Sequence, residues 1–275
     1  MRWWAKFRLR LAPVWFGVNY CFWAKKLVYT ELRGNGVSPQ AEYETYECMA
    51  EFWHEHIRLS IPNYAEFLES IAECPSQFQA VLDLACGAGT VTEGLARVAG
   101  VVVGLDASDA MLGKARARCP MIRFEKGDFR DFHLDRQFDA IVCASDSLNY
   151  VRDLSELGKV FQCVANHLRP GGLFVFDTIT ERGMRSLSGY YLHAAVNAGR
   201  FVINFNFNAV ERKEESIVFL PNGVERHHRI PIDPSDVETA AQAVGLVVSD
   251  YFTLASIPGR SYVGSRCYFV LTKEN

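Results

Sequence analysis

Ala80-Val81-Leu82-Asp83-Leu84-Ala85-Cys86-Gly87-Ala88-Gly89-Thr90 reads as a short apolar strand that turns at two glycines into a helix running to about Val98. Such a turn aims backbone N–H groups from a helix N-terminus and makes a seat for an anionic or polar ligand. It is not the dinucleotide fingerprint G-x-G-x-x-G, because Gly87-Ala88-Gly89-Thr90-Val91 runs on into Thr92. Nor is it the phosphate loop of nucleotide triphosphatases, since no Gly-Lys-Ser/Thr follows.

Working outward, strand and helix alternate up to Thr180. Val101–Leu105 is a strand and Asp109–Arg118 a helix. Ile122–Glu125, Ala140–Cys143 and Leu173–Asp177 are further strands, and a helix over Leu154–Leu168 leads into a turn at Pro170-Gly171-Gly172. This alternation predicts an α/β fold: a doubly wound, mostly parallel, Rossmann-like sheet. The rhythm then changes. Phe201–Asn208 alternates apolar and polar residues, and Ser216–Leu220, Pro221-Asn222-Gly223 and Val224–Ile232 complete a hairpin, so residues 186–232 read as an inserted antiparallel β-sheet. Pro234–Ala243 is a helix, and Gly245–Thr253 and Arg266–Leu271 are strands that finish the first sheet. Upstream, Gly34-Asn35-Gly36 and Ser38-Pro39 are a linker. Tyr46, Met49, Trp53 and Ile57 recur at helical spacing, and a second helix spans Tyr64 to about Glu73. The expected division is a basic, Trp-rich arm (1–36), an N-terminal helical cap (37–76), a cofactor-binding core (77–185), an inserted cap sheet (186–232) and the end of the core sheet (233–275).

The chain has 275 residues, 49% of them hydrophobic and 22% charged, which is a globular composition with room for a large core. Its 29 basic residues stand against 32 acidic ones, a net charge of −3, so a chain-wide basic field for nucleic acid is absent. The eight cysteines include no C-x-x-C pair and read as buried thiols in a reducing, cytoplasmic setting, without a metal or a disulfide framework. Residues 1–36 differ: seven basic residues against Glu31 alone give +6, leaving −9 on the rest, and four of five tryptophans lie here. The apolar run Leu11–Ala24 is too short to span a bilayer and contains Pro13 and Asn19. This arm reads as a segment packed on its own domain or on a second subunit, with weak contact at a membrane surface as the other reading.

Five elements in order resemble the class I S-adenosylmethionine-dependent methyltransferases over residues 78–180. These are the glycine loop, Asp106 at the end of the second strand, Gly127-Asp128-Phe129, Phe138-Asp139-Ala140-Ile141-Val142-Cys143, and Leu168-Arg169-Pro170-Gly171-Gly172. Asp146-Ser147-Leu148-Asn149-Tyr150 is similar to a sequence in the small-molecule branch, which includes the antibiotic deoxysugar N,N-dimethyltransferases. The resemblance implies S-adenosyl-L-methionine as cofactor, released as S-adenosyl-L-homocysteine, with Asp106 on the ribose hydroxyls and Asp128 and Phe129 at the adenine. It implies further cofactor contacts from Asp83, Ala85, Gly87, Gly89, Ala107, Met111 and Ala144, and a lid from Tyr43, Tyr46 or Tyr64.

Methyl transfer is an in-line displacement, so the protein must align the acceptor, exclude water and leave a free lone pair. Tyr150 is expected beside the acceptor, to orient it or help remove its proton. Asp146 would hold an ammonium or cap a helix. His228 shares parity with Val224, Ile230 and Ile232, which predicts the buried side of the hairpin and a candidate general base. His54 and His56 read as packing residues and His167 as a surface residue. Ser145-Asp146-Ser147-Leu148 stands where base methylases of nucleic acid carry Asp/Asn-Pro-Pro-Tyr/Phe, so a small-molecule acceptor, nitrogen or oxygen, is expected. A lipid or quinone enzyme and a non-catalytic cofactor-binding scaffold are the alternatives. The sequence leaves oligomeric state open.

Overall fold

The computed structural model describes residues 21–22, 42–43, 46, 49–50, 64–71, 78–196, 199–221, 223–253 and 266–274. Most of the arm, the 34–39 linker, the helix expected through Trp53 and Ile57 with His54 and His56, and Asn222 lie outside the described residues.

Two sheets organise the molecule. The larger has seven strands, β12 (Leu246–Thr253), β13 (Arg266–Lys273), β7 (Leu168–Ile179), β6 (Phe138–Cys143), β3 (Ala80–Leu84), β4 (Val101–Asp106) and β5 (Arg123–Lys126), in that spatial order. Strands β3 to β7 pair in parallel, whereas β13 runs antiparallel to both β7 and β12. The apolar runs follow from this position: a strand covered on both faces has no side to leave polar, and all five residues of β3 are buried. One face is covered by α4 (Leu154–His167), whose Leu157, Val160, Phe161 and Val164 meet Phe174, Phe176 and Phe269 of the sheet. It shares this work with α6 (Pro234–Gln242), through Val237 and Ala241. The other face takes Tyr64, Phe67 and Leu68 of α1 (Tyr64–Ile71) against Val81, Val142 and Val175. Helices α2 (Thr90–Leu95) and α3 (Asp109–Arg118) follow β3 and β4.

Pro170-Gly171-Gly172 proves to be part of β7 rather than a turn ahead of it. Phe138 pairs with Leu168 but Ala140 with Leu173, so the extra residues form an irregularity in which Gly171 takes φ +73°.

The second sheet is β1 (Cys21–Phe22), β8 (Tyr191–Val196), β9 (Gly199–Asn208), β10 (Lys213–Leu220), β11 (Gly223–Arg229) and β2 (Glu42–Tyr43). Strands β8 to β11 form the antiparallel sheet expected of the insertion. Its two edges come from upstream: β1 pairs antiparallel with β8, and β2 pairs in parallel with β11. α5 (Glu181–Leu187) joins the two sheets along the chain. Among the described residues no helix is long and apolar enough to cross a membrane. Cys86, Cys119, Cys143 and Cys267 are buried free thiols.

Candidate active site

The carboxyl ends of β3, β4, β5 and β6 open into a cavity of about 900 Å³, where open α/β sheets take their ligands. Its floor is built by the loop after β3. Ala85, Gly87 and Gly89 all adopt positive φ (58°, 53° and 77°). At Gly89 this is compounded by packing, since a Cβ there would sit 3.2 Å from Ala115 on α3. Behind the loop, buried Asp83 accepts a hydrogen bond from Thr92 Oγ1 at 2.5 Å. Burial, opposed in part by that bond, lifts its carboxyl to about 7.

Asp106 ends β4. Its carboxylate accepts from the backbone N–H of Gly87 (2.7 Å) and of Ser108 (2.9 Å), which ties the glycine loop to the start of α3. Burial raises this carboxyl, and the backbone donors draw it partly back. Ser108 caps α3 through Met111 N. Asp83, Ala85, Gly87, Asp106, Ala107, Met111, Asp128, Phe129, Ala144 and Tyr150 all line the cavity. Gly89 shapes the loop from behind. Tyr64 belongs elsewhere: it is buried and donates to Asp177 Oδ1, away from the cavity lining. Asp128 accepts from Arg130 N (2.9 Å) and Nε (2.7 Å), and that guanidinium holds its carboxyl below the usual range.

After β6 the chain turns through Ser145 and Asp146, both at positive φ (63° and 51°). Strain of this kind persists only where the surroundings impose it. Here Asp177 of β7 imposes it, accepting from Ser145 N (2.7 Å) and Asp146 N (3.0 Å). Asp146 turns away from the cavity. Its carboxylate takes Arg229 Nη1 and Arg266 Nη2, each at 2.5 Å, and makes no helix-cap bond, which excludes both expected roles: its acceptor sites face two internal cations. Arg229 also reaches Glu214 (Nε to Oε1, 3.0 Å), and Arg266 reaches Asp177. The 3₁₀ helix Ser147–Tyr150 follows. Its Asn149 is wholly buried and satisfied, donating to Ile179 O and Ile230 O (2.8 Å each) and accepting from Ile179 N (2.9 Å).

That stitch sets Tyr150 at the cavity wall with Tyr46 beside it, their hydroxyls 2.8 Å apart. Tyr150 Oη is also 2.8 Å from His227 Nδ1, and His227 Nε2 is 3.3 Å from Glu225 Oε2. Glu225 is fully buried and also accepts from Tyr46 N (3.1 Å) and Met49 N (2.6 Å). Desolvation keeps both tyrosine hydroxyls protonated far above their ordinary value.

His228 faces outward, the reverse of the expectation. Strand β11 stops at Arg229, so Ile230 and Ile232 belong to the segment leaving for the core sheet, where Ile232 N bonds Ile179 O (3.1 Å), and they say nothing about strand parity. The buried face carries Glu225, His227 and Arg229. His167 is likewise buried, not superficial, and accepts from Leu134 N at 3.0 Å.

The family model named Methyltransferase domain matches residues 81–172, the span of the glycine loop, Asp106, Asp128 and Tyr150. Over these residues the chain is similar to methyltransferase domains. A dTDP-3-amino-3,4,6-trideoxy-α-D-glucopyranose N,N-dimethyltransferase of Streptomyces venezuelae is 41% identical over 97 residues, 35% of this chain and 41% of that protein. The chain thus spans about two fifths of the curated relatives it matches first. In fold, the chain is similar to an S-adenosylmethionine-dependent methyltransferase of Clostridium acetobutylicum, with TM-score 0.71 and 23% identity over 84% of this chain and 99% of that one. A second likeness is to an amino pentose methyltransferase of Micromonospora echinaspora with S-adenosylmethionine bound, with TM-score 0.61 and 22% identity over 91% and 98%. The cavity fits S-adenosylmethionine: Asp106 is a carboxylate in its lining, held by backbone N–H groups, and the volume is enough for a nucleoside.

Proposed function

We propose that this chain moves a methyl group from S-adenosylmethionine to a nitrogen or oxygen of a small-molecule acceptor. The observation that carries this reading is the joint lining of one cavity by the Asp106-braced glycine loop and by the Tyr46–Tyr150 hydroxyl pair. When bound, the cofactor supplies an electrophilic sulfonium methyl.

In this reading Asp106 accepts the ribose hydroxyls, and Ala107 and Met111 flank the sugar. Asp128, braced by Arg130, faces the adenine with Phe129, while Ala85, Gly87 and Ala144 line the path of the amino-acid tail. Tyr150 and Tyr46 orient the acceptor through hydrogen bonds rather than as phenolates. Residues 77–185 with 233–275 are read as the cofactor-binding core, and 186–232 with the segments ahead of the core as the part that selects the acceptor. An amino sugar is the class favoured by the named activity of the Streptomyces relative.

Calorimetric titration with S-adenosylmethionine and S-adenosylhomocysteine is the first test, followed by a methylation screen over nucleotide-linked amino sugars, alkyl amines and phenols. Micromolar binding of both cofactor forms with turnover of one class is expected. A folded protein that takes up neither form would overturn the reading.

A further inference from the structure

We propose that His227, acting through Tyr150, is the proton sink of the methyl transfer, so that the acceptor is an amine or hydroxyl that gives up a proton. This inference rests on the function proposed above. Four groups from three parts of the chain form one hydrogen-bonded line leading out of the cavity: Tyr46, Tyr150, His227 and Glu225. Tyr46 and Tyr150 line the cavity, whereas His227 and Glu225 stand behind them, 4% and 0% exposed.

The donors and acceptors along this line have one consistent assignment. Glu225 accepts backbone N–H groups from Tyr46 and Met49, which is the pattern of a carboxylate, so the His227 nitrogen facing it carries the hydrogen. Nδ1 is then a bare lone pair, and the Tyr150 hydroxyl donates to it. With its hydrogen so committed, Tyr150 receives the hydroxyl of Tyr46 and keeps a second lone pair, on a residue that lines the cavity.

The step balances as follows. The acceptor lone pair forms the new bond to carbon while the sulfur–carbon bond breaks and leaves its electron pair on sulfur. The acceptor's proton passes to Tyr150 Oη as the Tyr150 proton passes to His227 Nδ1. The resulting imidazolium lies against Glu225, and its proton returns through Tyr150 to water once product has left. Neither tyrosine becomes a phenolate, in keeping with their desolvation. The charged groups around the line are Asp146, Arg229 and Glu214 near Tyr150, with Arg226 at the cavity wall paired to Glu215 at 3.0 Å. An acceptor without a transferable proton, such as a carboxylate, gains nothing from this arrangement.

The test uses the full chain with ¹⁵N-labelled histidine, saturated with S-adenosylhomocysteine, followed by NMR from pH 5 to 9. His227→Gln assigns the resonance. Neutral His227 should carry its hydrogen on Nε2; a hydrogen on Nδ1 overturns the proposal, because the nitrogen facing Tyr150 is then no acceptor. On the amine or phenol that turns over, His227→Gln should lower kcat about 100-fold. It should also remove the acidic limb of the pH profile, with S-adenosylhomocysteine affinity within twofold of wild type. The double variant should lose no more than Tyr150→Phe alone, as expected of one chain of transfer in which His227 acts only through Tyr150. A kcat within threefold of wild type, or fully additive losses, would show that His227 only packs. Absence of S-adenosylhomocysteine binding by the wild type is a separate outcome that removes the methyltransferase reading itself.

Discussion

Asp106 holds the N–H groups of Gly87 and Ser108 with one carboxylate and also lines the cavity, where the proposed function sets the ribose against it. Asp106→Ala should weaken S-adenosylmethionine and S-adenosylhomocysteine binding by about 2–4 kcal/mol, through two lost charge-assisted bonds to the ribose. Calorimetry reads this directly, and an unchanged affinity would place the ribose elsewhere. Asp83 offers a pH signature. Its carboxyl sits at about 7 in the folded chain against 3.8 for an ordinary aspartate, so the folded state binds the proton more tightly than the unfolded state. The stabilisation is complete below about pH 4 and is lost as pH rises to 7. Asp83→Asn keeps an oxygen for Thr92 but has no proton to lose, so its stability relative to wild type should grow by on the order of 4 kcal/mol between pH 4 and 8. Parallel stability curves across that range would show that Asp83 is ionised throughout.

At the level of elements, strand β4 approaches its neighbours so closely that it requires a glycine. A Cβ at Gly104 would lie 2.4 Å from Phe124 Cδ1 and 3.0 Å from Cys86 Sγ. Gly104→Ala should cost about 1–3 kcal/mol by overpacking, measured by urea unfolding. A neutral change would mean that the Phe124 ring swings clear. The elements were also where sequence reading worked best. Helix α3 spans Asp109–Arg118 as its pattern predicts, and β3 lies where its apolar run does, because both are local signals of propensity and burial. The hairpin strand β11 misled for a physical reason. Its inner face carries Glu225, His227 and Arg229, so the rule that apolar residues mark the buried side points the wrong way, and His228 stood in for His227. The alternation Glu-x-His-x-Arg was the available signal, facing Val218, Ser216 and Glu214 across the ladder. The edge pairings of Cys21–Phe22 and Glu42–Tyr43 left no such trace, since two-residue strands have no period.

For the molecule as a whole, core and cap are joined by alternating charges running Asp177, Arg266, Asp146, Arg229, Glu214. Three of these come from β7, β13 and the turn after β6, and the other two from β11 and β10. Arg229→Met should cost about 3–5 kcal/mol in denaturant unfolding, because it strands Glu214 and leaves Asp146 with one cation inside the protein. Adding Glu214→Gln should restore part of that loss, since the buried charge goes with its partner. If the double variant is less stable than Arg229→Met, Glu214 has another cationic partner. Because Asp146 draws one cation from each side of this seam, the six-stranded sheet is not a freely exchangeable module. A chimaera that grafts a relative's sheet onto this core, or an engineered swap to change the acceptor, must carry an arginine and a carboxylate that register with Asp146. Without them, a new specificity would arrive together with a fault line.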